Sequence, residues 1–395
     1  MYEYRNRTRY LLADTEDTGV YGSSAAASFL NDAVNGTNSV DIVTFGDSNA
    51  GNEGGGYTQG FITAMANFGV PEYATPLYLP AYRDATGLSN ITGRYFHPFQ
   101  KVTWNGTNTS GSTGAATTST TVSGTDTDAA AISSYFGTIT NIKQYGWQYD
   151  AAFVQGGVTY TSSANGPGIA LVAGGPLAAG GGPAGVNLQY RVLYGKFTST
   201  TNSGKFRLVA MKGVNTIVAN STSNIVTTGH ASISHDIATL NFTSTASAGV
   251  PDTMTCSWEG YNNGSTYSVA GPCAIFWHSI IKRNATGYSV TNLQYYGGRT
   301  STNLASDISG MAKSLEIFLK ELHDRQVEAG GSGRVVFFVN MGINGPDTAT
   351  TWTAAADSIR NTIHTRWTNA GLSLSKLAIV FSVTHPNTTG TWATA

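Results

Sequence analysis

Three short runs limit most strongly what this chain can fold into, because they are apolar almost without a break. They are Asp41–Gly46 (DIVTFG), Arg334–Met341 (RVVFFVNM) and Lys376–Val383 (KLAIVFSV). A strand with one wet face alternates apolar and polar residues. A strand of a parallel sheet, covered on both faces, is apolar throughout. Helical patterns separate the runs. Phe61, Ile62, Met65 and Phe68 follow the first at helix spacing. Thr302–Glu328 reads as one amphipathic helix, with Leu304, Ile308, Met311, Leu315, Phe318 and Leu322 on one face. Trp352, Ile359, Ile363 and Trp367 mark another helix, and Tyr288–Tyr296 (YSVTNLQYY) is a further strand ending at Gly297-Gly298. Strand and helix in alternation predict an α/β domain with a parallel sheet.

The grammar changes between residues 85 and 285. Thr/Ser/Gly-rich segments, Asn105–Thr127 and Gly174–Gly185, alternate with period-2 runs: Gln189–Phe197, Lys205–Met211, Ile237–Phe242, Cys256–Trp258 and Ala274–Ile281. Such runs bounded by turn residues predict antiparallel strands in a sandwich or jelly-roll. The division expected is therefore an arm over 1–40, an α/β domain from 41–84 and 286–395, and an inserted β domain over 85–285. The arm carries Tyr2, Tyr4, Tyr10, Arg5, Arg7 and Arg9, with a short helix near Ala25–Ala33. It reads either as an unstructured leader or as a docking arm for a larger assembly.

A length of 395 residues suits two domains. A net charge of −1 gives no electrostatic case for nucleic acid or an anionic membrane. Only 11% of residues are charged, against about a quarter in ordinary globular chains. Gly, Ser, Thr and Asn take their place, which suits an extracellular or virion-surface β-rich protein. No apolar run approaches the ~18 residues of a membrane span, and the first residues lack the apolar core of a signal peptide. Cys256 and Cys273 fall in one β-like region, where a hairpin disulfide and two free thiols are both open. No metal-ligand spacing occurs, and no cofactor is expected.

Chemistry concentrates around Asp47-Ser48-Asn49, which follows the first apolar run and precedes Gly54-Gly55-Gly56 and a helix. Strand, sharp turn and helix display a nucleophile at the carboxyl end of a sheet. Gly298 and Asn344 also follow strands, so they too belong at that edge. Acyl transfer needs donors aimed at a developing oxyanion, each worth about 3 kcal/mol of barrier. The Ser48 and Gly298 N–H groups and the Asn344 amide can surround one oxygen. Plainer roles exist: a turn glycine for Gly298, a loop cap for Asn344 and turn orientation for Asp47. Of the histidines, His385 lies just past the last strand, on the rim of the crevice. His323 and His364 are expected on solvated helix flanks, and His97, His230, His235 and His278 in structural or surface places of the β domain.

Phe45-Gly46-Asp47-Ser48-Asn49 resembles the first block of the SGNH (GDSL-like) hydrolases. Gly298-Arg299-Thr300-Ser301-Thr302-Asn303-Leu304 is similar to their second block, and Gly342-Ile343-Asn344 to their third, with Gly345 where the family has Asp. The resemblance covers roughly 41–80 and 286–395. It implies a flavodoxin-like parallel sheet with flanking helices, Ser48 as nucleophile, and Gly298 and Asn344 as oxyanion donors. The family draws its base from a D-x-x-H block after a fifth strand. No D-x-x-H occurs here, and His385 stands one strand–helix unit too early. Either His385 serves, or the Asp and His are expected beyond Ala395 in a longer protein.

Members with an inserted β-sandwich resemble carbohydrate esterases. The expected function is thus serine ester hydrolysis, removing O-acetyl groups from a polysaccharide. Aromatics of the insertion such as Tyr95, Trp104, Trp147 and Trp258 would then stack on sugars, or else fill the core. The alternative is a non-catalytic glycan-binding surface or virion protein on a degenerate SGNH scaffold. A homo-oligomer or a larger surface or virion assembly fits either. A lipase or thioesterase is disfavoured by the polar, glycine-rich loops around Ser48.

Overall fold

The computed structural model describes residues 23–46, 57–77, 95–96, 135, 152–154, 158–160, 168–171, 185–198, 205–212, 216–220, 225–227, 229–243, 254–260, 267–269, 273–294, 300–341 and 348–383. The chain divides into two compact units, Met1–Pro71 with Ala285–Ala395, and Glu72–Asn284.

The first unit holds a four-stranded, all-parallel sheet. Its strands are β1 (Val40–Gly46), β2 (Tyr288–Gln294), β3 (Val335–Met341) and β4 (Leu377–Val383), in the order β2-β1-β3-β4. This is the start of a doubly wound order that reverses at β1, and in sheets of this order ligands bind outside the carboxyl ends of the strands at the reversal. Every residue of β1 and β3 is buried, as continuous apolar runs require. Helices cover both faces. On one face α1 (Ser23–Val34) lies against β1, β3 and β4, and α2 (Tyr57–Asn67) against β2. The Phe61 ring meets Phe338 edge-on at 5.1 Å, and the Tyr288 hydroxyl donates to the Ile62 carbonyl at 3.3 Å. The helix near Ala25–Ala33 is thus a packed part of the sheet, tied by the Arg334–Asp32 ion pair and by Arg334 stacked over Phe29.

The other helices are α3 (Ser301–Gly310), α4 (Ala312–Glu328) and α5 (Ala349–Asn369). The single helix expected over Thr302–Glu328 is two. Ser309 and Gly310 are poor helix formers, and Ala312 takes a left-handed φ of 44°, which breaks the ladder at Met311. Its apolar stripe holds across the break, since Leu304, Ile308, Met311, Leu315, Phe318 and Leu322 are all buried. Phe68 departs from expectation: it falls just past the end of α2 and is 67% exposed. Helices α4 and α5 stop at Gly330 and Gly371, whose positive φ allows the reversed turn that pairs the last carbonyls.

The second unit is antiparallel throughout its described strands. One sheet runs Ser234–Thr243, Asn187–Lys196, Cys273–Lys282, Ala152–Val154. Another runs Tyr95–Phe96, Gly168–Leu171, Met254–Gly260, Lys205–Lys212, Thr216–Asn220, with Ile225–Val226 also on Lys205–Lys212. Tyr267–Val269 and Val158–Tyr160 form a two-stranded ribbon. Strand Ser234–Thr243 of the first sheet passes against Lys205–Lys212 and Thr216–Asn220 of the second. Cys256 and Cys273 lie on strands of different sheets, so they are not partners across a hairpin.

Candidate functional site

The register of the parallel sheet defines its carboxyl edge. Gly46 of β1 pairs with Gln294 of β2 and Asn340 of β3, and Asn340 pairs with Ser382 of β4. All four strands therefore end within a residue of one another. Ser48 follows the end of β1 by two residues, Gly298 follows β2 by four, Asn344 follows β3 by three and His385 follows β4 by two. Those four residues lie outside the described ones, as do Asp47 and Asn49.

The row at this edge is Gln294, Gly46, Asn340, Ser382, while the next row inward is Leu293, Phe45, Val339, Phe381. Three residues of the edge row are polar, and all four of the row inward are apolar. Asn340 is fully buried, and its amide donates to the Ser382 carbonyl at 3.4 Å and lies 3.5 Å from the Ser382 hydroxyl. Sequence reasoning passed over both residues. Their signal was a single polar letter near the end of each apolar run.

Helix ends contribute to the electrostatics of the edge. Helices α2, α3 and α5 follow β1, β2 and β3, and none has an acidic residue in its first turn to offset the positive end of its dipole. Helix α3 is fixed by a reciprocal cap. The Thr300 hydroxyl accepts from the Asn303 backbone N–H at 3.2 Å, and the Asn303 side-chain Oδ1 accepts from the Thr300 N–H at 3.3 Å. Thr348 caps α5 by accepting from the Thr351 N–H at 3.1 Å.

The described histidines sit elsewhere. His323, on α4, has Nδ1 2.9 Å from Asp324 Oδ1, and its ring meets Trp367 edge-on at 6.1 Å. It adjoins Gly333, just ahead of β3, hence at the amino edge. The length of β3 separates it from the carboxyl edge by about 20 Å. His364 lies in the last third of α5, near Trp367 and the same amino edge. Neither is a solvated flank as expected. His323 is part-buried under Trp367, and burial, helped by the Arg360 charge, pushes the His364 pKa down. His230 and His235 are in the second unit, where His235 Nδ1 lies 3.0 Å from the Tyr135 hydroxyl. His278 is on a strand of that unit, and His97 lies outside the described residues.

Among the described residues no group of His, Cys, Asp and Glu is placed to hold a metal ion. None of their helices is long and apolar enough to cross a membrane.

No family model matches the chain. No curated protein matches it either. Among solved structures, one described as "CBM4 structure and function" shares 15% identity, covering 33% of this chain and 81% of that one at a TM-score of 0.20. A Family 16 Carbohydrate Binding Module-2 shares 13%, covering 33% and 74% at 0.19. A family two carbohydrate esterase from Cellvibrio japonicus shares 10%, covering 60% and 88% at 0.15. At these TM-scores the likeness does not define a shared fold.

Proposed function

We propose that this protein is a serine ester hydrolase of SGNH type that removes O-acyl groups, foremost O-acetyl, from a polysaccharide. The observation that carries the reading is the common carboxyl edge, from which the chain leads within four residues to Ser48, Gly298, Asn344 and His385. Chain geometry permits them to meet. Neighbouring strands are about 4.8 Å apart, and two to four residues of backbone reach at most about 7–14 Å. The reading is supported by the strand order β2-β1-β3-β4, in which the end of β1 lies between the ends of β2 and β3, and by the helices after β1, β2 and β3, whose first turns carry no acidic residue.

In this mechanism the Ser48 hydroxyl attacks the ester carbonyl and forms a new Oγ–C bond. The Ser48 and Gly298 N–H groups and the Asn344 amide hold the negative oxygen. His385 takes the serine proton and returns it to the departing sugar hydroxyl as the C–O ester bond breaks. Water then gives a proton to the same base and bonds to the acyl carbon, and the base returns that proton to the Ser48 Oγ as the Oγ–C bond breaks and the acid leaves. His385 is chosen because its segment leaves the carboxyl edge, whereas His323 and His364 lie at the opposite one. The flavodoxin-like sheet is one domain in this reading, with the antiparallel unit inserted between α2 and β2 to hold the glycan.

The test is p-nitrophenyl acetate turnover by the protein beside Ser48→Ala. The variant should lose at least a thousandfold in kcat; equal rates refute the proposal.

A further inference from the structure

Asn340 stands out among the buried residues of the parallel sheet. Its neighbours along β3 are Val339 and Met341, both fully buried. An apolar side chain would satisfy that environment, and burying a carboxamide costs about 1–3 kcal/mol unless it is hydrogen-bonded. The position explains the choice of residue. Strand side chains alternate, so Asn340 shares a face with Phe338, whose ring meets Phe61 of α2. Helix α2 is the one that follows β1 in the chain. Asn340 is in register with Gly46, two residues before Ser48, and Gly46 has no side chain to stand beside it. On the other side the Asn340 amide reaches the Ser382 carbonyl and hydroxyl, one residue from the end of β4 and three before His385.

We propose that Asn340 is a positioning residue of the ester-hydrolysing site, its buried carboxamide fixing the ends of β3 and β4 against the glycine end of β1. The proposal rests on the ester-hydrolase reading above. Asn340 touches no substrate in this account. It acts through the relative placement of nucleophile, oxyanion donor and base, and a displacement of about 1 Å among such groups lowers turnover by up to about 100-fold. A polar side chain that served only to set strand register would leave turnover unchanged once the protein had folded.

The experiment compares wild type, Asn340→Val, Ser382→Ala and Ser48→Ala. It follows p-nitrophenyl acetate kinetics, the rate at which an alkyl fluorophosphonate labels Ser48, and thermal unfolding. Valine suits a buried strand and removes the amide. Asn340→Val should melt within a few degrees of wild type, with kcat about 10- to 100-fold lower, KM within about twofold, and labelling slowed in proportion to kcat. A folded Asn340→Val with unchanged kcat overturns the role of Asn340 alone. Should that variant fail to fold, Ser382→Ala decides. It keeps the carbonyl acceptor and should lower kcat about threefold or more at unchanged melting temperature; an unchanged kcat overturns the proposal. Wild type no faster than Ser48→Ala removes the ester-hydrolase reading, and the role of Asn340 with it.

Discussion

Arg325 of α4 and Asp41 of β1 form an ion pair in which both side chains are 0% exposed. The same guanidinium nitrogen also donates to Ser289 of β2 at 3.0 Å, and Asp41 and Ser289 are register partners. One cation thus clamps the amino ends of two strands to the helix above them. Replacing Arg325 by Met keeps the length of the side chain but leaves a carboxylate in the core. Breaking a buried pair in this way costs about 3–5 kcal/mol, whereas replacing both charges by apolar groups is often neutral or stabilising. With whole domains stable by only about 5–15 kcal/mol, the single variant leaves this unit marginal.

The experiment is a double-mutant cycle with Arg325→Met, Asp41→Val and the pair together. Two compact units need not unfold in one step, so a global melting curve is a poor readout. Hydrogen exchange of the buried amides in β3 reports the opening free energy of the parallel sheet itself. Each single variant should lose about 3–5 kcal/mol. The double variant should lie within about 2 kcal/mol of wild type, the remainder being the bond lost by Ser289. A double variant that loses the sum of the singles, or an Arg325→Met that loses less than about 1 kcal/mol, refutes the claim that the pair is desolvated and coupled.

Two further outcomes follow from the amino edge. Gly333→Ala should lower the stability of this unit by more than about 2 kcal/mol, because residue 333 has φ 76° and a Cβ there overlaps the His323 ring; urea unfolding followed by the exchange of β3 amides measures it. Burial raises the Asp324 pKa, but hydrogen bonds from His323 and Lys320 outweigh it, so the carboxyl titrates below its ordinary value. That stability is present above the unfolded carboxylate value near 4 and is lost as pH falls through the lower folded one. Asp324→Asn should therefore be less stable than wild type by about 0.2–1 kcal/mol at pH 7 and equal to it near pH 2, as urea titrations at the two pH values would show.

What could be read from the residues follows from the physics of each element. Runs such as RVVFFVNM declared a doubly covered strand because no other environment accepts them, and β3 begins one residue from the expected start. The break at Met311 was illegible because the apolar stripe runs through it unaltered. Only the backbone of Ala312 departs, and a left-handed alanine has no sequence signature. The short strands of the antiparallel unit, such as Ala152–Val154 and Gly168–Leu171, were missed because three or four residues are too few to show a period. The Asp41–Arg325 pair was hidden for another reason. Its partners are 284 residues apart, and nothing in the run Asp41–Gly46 points to Arg325. At the candidate site the sequence offered reactive types, Ser48, Gly298, Asn344 and His385. For Asn340 the only mark was a polar letter near the end of an apolar run, and its claim depends on the register with Gly46 and Ser382.

The two edges of the parallel sheet carry different kinds of polar residue. At the amino edge polar groups are joined across elements. Asp41 meets Arg325, which also reaches Ser289. The Gln326 amide donates to the Arg334 carbonyl and accepts from the Arg334 N–H, and Asn38 accepts from the Ser39 and Ser332 N–H groups. These contacts fasten α4 and the turn before β3 onto β1, and they spend their polar capacity on the protein itself. At the carboxyl edge the row Gln294, Gly46, Asn340, Ser382 precedes the segments bearing Ser48 and His385, and the helices that follow β1, β2 and β3 have no acidic residue in their first turns. A sheet clamped at one end can hold strand ends at fixed spacing at the other, which is what preorganised donors require. Stability and turnover should therefore separate along the strands: substitutions at Asp41 or Arg325 change the opening energy of the sheet while leaving the kcat of the folded fraction intact, and Asn340→Val does the reverse.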